Sequence, residues 1–123
     1  MTLSDDQGQS WQLQQTLDVA HFKGEDHIDA RLHDGAIRDF NLMTQRQSCR
    51  ATVFTSQLLN QQKIDLQGDL FLLFNVAGEA SYKIDNNQQQ ALATQHLMQL
   101  DLASPSSCCC SGDAWVGILI TYL

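Results

Sequence analysis

Apolar and polar residues alternate along much of this 123-residue chain, with the period of two that is typical of β-strands. Leu3 stands in one such run, and Trp11 and Leu13 alternate with glutamines in the next. A polar break that contains Gly8 separates the two runs, which is a hairpin signal. The start of the chain is therefore predicted to form a pair of strands.

The stretch from Trp11 to Phe22 permits a second interpretation, because Leu13 and Leu17 lie four residues apart, as on one face of a helix. The stretch has no convincing helix cap and Gly24 follows it, so extended structure is favoured. Between His27 and His33 the alternation returns and predicts a half-buried strand.

Further strands are predicted at Cys49–Thr55, Asp69–Val76, Ala80–Ile84, as a pair within Leu92–Leu102, and at Ser107–Cys110 and Ala114–Leu123. The run Asp69–Val76 is almost continuously apolar between Gly68 and Gly78, which is typical of a central strand. Asn60–Lys63 is predicted to be a polar connection and Ser111–Asp113 a tight turn. Roughly ten short strands at this spacing predict an all-β barrel or sandwich.

One segment, Gly35–Arg46, carries more charged, amide and large apolar side chains than any other stretch of its length. Its period-two pattern leaves neither side cleanly apolar. A buried charge is costly unless it is paired, so Arg38 and Asp39 are expected to have partners, either each other or Arg46. We therefore predict a bent or bulged strand, entered through a turn at residues 34 and 35.

This signature segment resembles that of a known family. Gly35, Arg38, Asp39, Phe40, Asn41, Leu42, Met43 and Arg46 are similar to the signature of the HutD/Ves family of bacterial proteins, and Phe22–Glu25, Ile28, Ala30 and Leu32 also match its pattern. The resemblance implies an all-β, cupin-like fold, an RmlC-like jelly-roll barrel, with a partial second β-sheet before residue 35. It covers about the C-terminal two-thirds of a usual member. Residues 1–34 are thus interpreted as a remnant of the first barrel half and residues 35–123 as the signature and main barrel, in one domain.

The same resemblance implies a metal-free small-molecule-binding or regulatory protein, linked to histidine utilization and to stress response. In this interpretation Arg38 or Arg46 takes the carboxylate of a small histidine-pathway metabolite in the barrel mouth. Asp39 and Asn41 orient the rest of the ligand. Two other hypotheses remain open: a cupin-type enzyme acting on a small polar metabolite, and a structural remnant in which the same residues only pin a bent strand.

Charge and hydropathy limit the partners. Fourteen acidic and seven scattered basic residues give a net charge of −7, so no nucleic acid is expected to bind. No window reaches the roughly 18 apolar residues of a membrane span. The N-terminus lacks the basic and apolar regions of a leader peptide, so we predict a cytoplasmic location without membrane association. Missing opening strands would expose barrel edges, which predicts a homo-oligomer.

Neither the histidines nor the cysteines predict a metal or a cofactor. The histidines are His21, His27, His33 and His96. They include no His-x-His pair, and their spacing favours exposed or singly hydrogen-bonded rings. Cys49 and Cys108–Cys110 are expected to be reduced, and a small apolar role in a strand is favoured for the triplet over a metal or redox role. The chain has no catalytic nucleophile motif or phosphate-binding loop, so an enzyme is the less favoured hypothesis.

Overall fold

The computed structural model of this chain describes residues 1–33, 37–57 and 61–123. These residues contain nine β-strands and no helix. The strands are β1 (Thr2–Asp5), β2 (Ser10–Gln12), β3 (Ile28–Arg31), β4 (Cys49–Thr55), β5 (Gln61–Leu66), β6 (Leu70–Ile84), β7 (Gln90–Leu92), β8 (Leu97–Asp101) and β9 (Ser106–Tyr122). The described residues therefore include no helix that is long and apolar enough to cross a membrane. The all-β prediction is confirmed, and the helix considered for Trp11–Phe22 does not form.

Contacts divide the chain into two compact units, Met1–Met43 and Thr44–Leu123. The first unit holds an antiparallel sheet in the order β2-β1-β3. Gly8 adopts a φ of 91° in the turn between β1 and β2, a conformation that glycine reaches without steric cost. The predicted hairpin and the strand within residues 27–33 are both present, and this sheet corresponds to the partial second sheet expected before residue 35.

The second unit is built on two long antiparallel strands, β6 and β9, which pair along most of their length. On its other side β9 pairs with β5 near its start and with β4 near its end. The strand β6 pairs in the same way with β8 near its start and with β7 near its end. Among the residues described, no further pairing closes this six-stranded sheet into a ring.

Two predicted interruptions, at Gly78 and at Ser111–Asp113, are irregularities within continuous strands. The strand β6 runs through Gly78, where its register against β9 shifts twice between residues 75 and 80. The strand β9 runs through Gly112, where a Cβ would lie only 2.7 Å from the carbonyl oxygen of Glu79. The turn prediction at residues 111–113 was therefore wrong, because glycine lets the two strands bend and approach each other without losing their pairing.

Two further predictions differ from the structure. Gln61–Lys63 lies in β5 instead of a polar connection, because these residues pair with β9. The signature segment was predicted to be a bent strand, but Ile37–Met43 forms no strand and its side chains are exposed. Residue 60 of the predicted connection and the turn predicted at residues 34 and 35 lie outside the described residues.

The main core cluster of the second unit lies on one face of β6 and β9, and Val116, Ile118 and Ile120 on the opposite face of β9 are also buried. The cluster consists of Ile64, Leu66, Phe71, Leu73, Ala80, Leu92, Cys108, Cys110, Trp115 and Leu119. Full burial of one such large side chain contributes about 1.5–3 kcal/mol. In the described part of the first unit, Leu3 is the buried apolar residue. Most of the apolar burial is thus in the second unit.

Candidate functional site

Three of the four predicted site residues lie close together in sequence at the end of the first unit. Arg38, Asp39 and Asn41 are all exposed. The Asn41 side-chain amide donates a hydrogen bond from Nδ2 to Oδ2 of Asp39, at 2.9 Å. The structure therefore brings Asp39 and Asn41 together, through a contact that two residues on one extended segment can make locally.

The two arginines of the prediction differ in their surroundings. The guanidinium of Arg38 makes no hydrogen bond or ion pair within the described residues, so the expected pairing with Asp39 is not seen. Arg46 belongs to the second unit, lies in the turn before β4, and has an interaction of its own. A site that uses all four residues stays a prediction.

Two of the histidines each contact one polar group. His33 Nε2 lies 2.7 Å from the hydroxyl of Thr2, and His96 Nδ1 donates to the carbonyl oxygen of Thr94 at 3.0 Å. Within the described part of the chain, no three histidine, cysteine, aspartate or glutamate side chains form a group that could hold a metal ion.

The cysteine triplet alternates between the two faces of β9. Cys108 and Cys110 are buried in the core with their sulfur atoms 3.3 Å apart, and Cys109 is half-buried. The hydrogen bond to Cys108, and then burial, raise the pKa of the Cys110 thiol, and the same bond lowers the pKa of Cys108. Both thiols pack against apolar side chains of the core cluster.

A second candidate site, which the sequence did not reveal, is an open cleft in the second unit. It has a volume of about 890 Å³ and is lined by the irregular part of β6, by β7 with the residues after it, and by β9 near Gly112. We call it the bulge cleft. Gly78 has a φ of 77°, and a Cβ there would lie 2.7 Å from Oδ2 of Asp113. The missing side chain at residue 78 therefore leaves room for the carboxylate of Asp113 against β6.

Hydrogen bonds from the Asn75 side chain connect two walls of the bulge cleft. Its side-chain Nδ2 donates to the carbonyl oxygens of Gly78, at 2.9 Å, and of Leu92, at 2.8 Å. The hydroxyl of Thr94 donates to the same Gly78 oxygen at 2.7 Å. Gly78, Leu92 and Thr94 all line the cleft, so one buried amide and one hydroxyl hold its shape.

Gln95 adds a third connection to the irregular part of β6. Its backbone N–H donates to the Asn75 carbonyl and its side-chain amide to the Val76 carbonyl, both at 2.7 Å. Gln95 reaches this position with a φ of 64°, in the left-handed region that a non-glycine residue adopts at some cost. The hydrogen bonds offset that cost and keep the segment after β7 against β6.

The described residues that line the cleft are rich in acceptors, and none of them is basic. The hydroxyls of Ser81 and Ser111 lie 2.8 Å apart, and the amide of Gln89 donates to Ser81 at 2.9 Å. Glu79 and Asp113 add two exposed carboxylates. The electrostatics of this surface disfavour an anion and favour a ligand that donates hydrogen bonds.

One signal of the cleft was present in the sequence. Asn75 interrupts an otherwise apolar run, at the position that continues the inward alternation of Phe71 and Leu73. A polar residue on the core face needs partners, so it marks a place where the strand departs from regular pairing. The almost continuously apolar run predicted a central strand, but not this departure.

Comparison with known proteins adds one match. The model of a protein family described as HutD matches residues 1–117 of the chain. No curated protein and no solved structure matches it.

Proposed function

The chain belongs to the HutD family, and on that premise we propose that it is a metal-free protein that binds a small carboxylate metabolite of the histidine pathway. The observation that supports this proposal is the exposed guanidinium of Arg38 beside the hydrogen-bonded pair of Asp39 and Asn41. The guanidinium is free to take a carboxylate, because no described residue already neutralises it.

The roles follow from the chemistry of these three side chains. A guanidinium presents a planar fork of donors that matches the two oxygens of a carboxylate. Asp39 holds the amide of Asn41 in one orientation, which leaves its oxygen as an acceptor and its second N–H as a donor. The pair can therefore orient a ligand's imidazole or amide while Arg38 holds the carboxylate.

A calorimetric and thermal-shift comparison tests this proposal. Urocanate and N-formylglutamate are titrated into the wild-type chain and into Arg38→Ala, Arg38→Lys, Arg46→Ala and Arg31→Ala. A bound ligand raises the melting temperature by mass action. Removal of a charge-assisted hydrogen bond worth about 1.5–3 kcal/mol predicts binding that is roughly 10- to 100-fold weaker in Arg38→Ala. Arg38→Lys keeps the charge but not the fork, so an intermediate loss is expected.

Arg31→Ala is the matched control, because Arg31 is an exposed arginine of the same unit. It should bind as the wild type does. A loss confined to Arg46→Ala would assign the carboxylate to Arg46 instead of Arg38. Absence of heat and of any thermal shift with both compounds at millimolar concentration would contradict the proposed ligand class.

We also propose that the protein is a homo-oligomer. In the described residues β4 and β5 each pair on one side only, with β9, so they offer open edges to a second copy. Light scattering tests this directly, and a monomer at high protein concentration would contradict it.

A further inference from the structure

Two lysines flank one cysteine across three neighbouring strands of the second unit. Cys109 of β9 lies directly opposite Lys63 of β5 on one side and directly opposite Lys83 of β6 on the other. Residues directly opposite each other point to the same face of a sheet, with Cβ atoms roughly 5 Å apart. The three side chains therefore form a row with the thiol in the middle, which we call the lysine-flanked thiol.

The lysine-flanked thiol lies on the face of β9 that is turned away from the core cluster. Cys108 and Cys110 belong to that cluster and are at most 1% exposed. Successive side chains of a strand point to opposite faces, so Cys109 lies on the other face. Cys109 is half-buried, and the lysines on both sides of it are exposed. A small molecule can therefore reach the thiol from solvent.

The two ammonium groups are available to an anion. Neither Lys63 nor Lys83 forms an ion pair with another residue in the described part of the chain. The chain has a net charge of −7 and only seven basic residues, so two lysines beside one thiol differ from its general charge. A carboxylate that approaches Cys109 is attracted by both positive charges.

One acidic side chain shares this face of the sheet. Asp65 lies two residues after Lys63 in β5, so it points to the same side, and it is exposed. Its carboxylate can accept hydrogen bonds from an ammonium group. The surroundings of the thiol therefore suit a molecule that carries both carboxylate and ammonium groups, as amino acids and short peptides do.

We propose that Cys109 is a site of reversible thiolation by the disulfide of an amino-acid or peptide thiol. The Cys109 thiol gives its proton to solvent, and the thiolate attacks one sulfur atom of the disulfide. A new S–S bond forms to Cys109 as the original S–S bond breaks, and the departing thiolate takes a proton from solvent. Cys109 is oxidised and the released half of the disulfide is reduced. Lys63 and Lys83 hold the carboxylates of the incoming molecule.

The alternation of the strand also determines the fate of the adduct. A mixed disulfide is resolved when a second thiol attacks it. Cys108 and Cys110 face the core on the opposite side of β9, so neither thiol can reach a group attached to Cys109. The adduct therefore persists until a thiol from solution reduces it. This site lies in the second unit and does not depend on the ligand proposed for Arg38.

Thiolation rates of the folded wild-type chain test the proposal, measured by mass spectrometry with peptide mapping. Cys49 is the internal control, because it is also half-buried but lies opposite Tyr122 instead of a lysine. Oxidised glutathione carries carboxylate and ammonium groups, whereas cystamine carries ammonium groups alone. The ratio of the Cys109 rate to the Cys49 rate removes the intrinsic reactivity of each probe.

This ratio should be about tenfold higher with oxidised glutathione than with cystamine at low ionic strength, because each lysine attracts one probe and repels the other. The difference should decrease as salt is added, since salt screens exposed charges. Equal ratios for the two probes would overturn the proposal.

Four variants assign the effect to the two lysines. Lys63→Gln and Lys83→Gln should each slow the reaction of Cys109 with oxidised glutathione about threefold, the effect of one charge roughly 6 Å from a carboxylate in water. The Cys49 rate should not change. Lys63→Arg and Lys83→Arg keep the charge and should react as the wild type does. A Cys109 rate that is unchanged in both glutamine variants would overturn the proposal.

Discussion

The two units of the chain hold their backbones in place by different means. In Met1–Met43, aspartate side chains accept hydrogen bonds from backbone N–H groups in three separate turns, through Asp5, Asp18 and Asp26. In Thr44–Leu123, a cluster of buried apolar side chains lies along β6 and β9. Local polar contacts contribute about 1 kcal/mol each and burial of a large side chain contributes more, so the second unit should carry most of the stability.

The distribution of apolar side chains shows the same difference. Val19, Phe22, Leu32, Ile37, Phe40, Leu42 and Met43 of the first unit are all exposed. In the second unit Phe71, Trp115 and Ile118 are at most 1% exposed. Apolar composition alone therefore does not make a core: most of the buried apolar residues are carried by the long paired strands β6 and β9.

The largest expected effect comes from the two tryptophans, one in each unit. Trp115→Ala should lower the free energy of unfolding by about 3–5 kcal/mol, because it empties a fully buried site. Trp11→Ala should cost only about 1 kcal/mol, since Trp11 is half-buried and its main aromatic contact is the exposed Phe22, with ring centroids 5.8 Å apart. Hydrogen exchange of the backbone amides in β1–β3 and in β6 and β9 measures both. Equal losses of unfolding free energy in the two variants would contradict the proposed difference in stability between the units.

The next largest effect on stability is expected from a pair of glycine substitutions, one in each unit. Gly112→Ala should destabilise the second unit by about 1–3 kcal/mol through its backbone conformation alone, at a φ of 148°, with an added clash against Glu79 and Ala80. Gly24→Ala in the first unit meets no atom within 4 Å and should be neutral or slightly stabilising. Urea unfolding compares the two variants. A neutral Gly112→Ala would show that the close approach of β6 and β9 is not required.

Alkaline pH should weaken the core through its thiol pair. The pKa of Cys110 is raised, by its hydrogen bond to Cys108 and by burial, so the native state keeps this proton above pH 9, where the unfolded chain loses it. The unfolded state then binds fewer protons, and stability falls as pH rises, by about 1.4 kcal/mol per pH unit for one proton. The lowered pKa of Cys108 lets the other proton leave the native state, so about one proton separates the two states.

Urea unfolding above pH 9, up to pH 10.5, in reducing buffer measures this slope. The variant with Cys108→Ala and Cys110→Ala should lose it, whatever its stability at neutral pH. Cys49→Ala, at a half-buried cysteine outside the pair, is the control and should keep it. Identical slopes in the wild type and the double variant would rule out the thiol pair as the cause.

The smallest effect tests the turn aspartates of the first unit. Asp5 accepts from the backbone N–H groups of Gln7, at 3.0 Å, and Gln9, at 2.7 Å, so Asp5→Ala should cost about 0.5–1.5 kcal/mol. Asp6→Ala removes an exposed carboxylate whose contact is a long side-chain bond of 3.4 Å, and should change stability little. Amide exchange in β1 and β2 distinguishes the two. Equal effects would show that the carboxylate of Asp5 does not hold this turn.

Much of the fold could be predicted because its signals are local. The alternation around Leu3 and Trp11, the run Asp69–Val76 and the two faces of the cysteine triplet follow from the period of two, which each strand carries in its own residues. The HutD signature likewise lies in one short segment, and the family match confirms the recognition. The roles of Arg38, Asp39, Asn41 and Arg46 stay a prediction.

The tertiary structure alone decided what depends on two strands at once. A glycine in a strand pattern can end the strand or bend it, and only the pairing of β6 with β9 shows that Gly78 and Gly112 bend it. The polar residues at the start of β5 are typical of a loop. Only their backbone pairing with β9 shows that they form a strand. The lysine-flanked thiol depends on the register of β5 and β6 against β9, because cross-strand register is set by the whole sheet and not by any one strand.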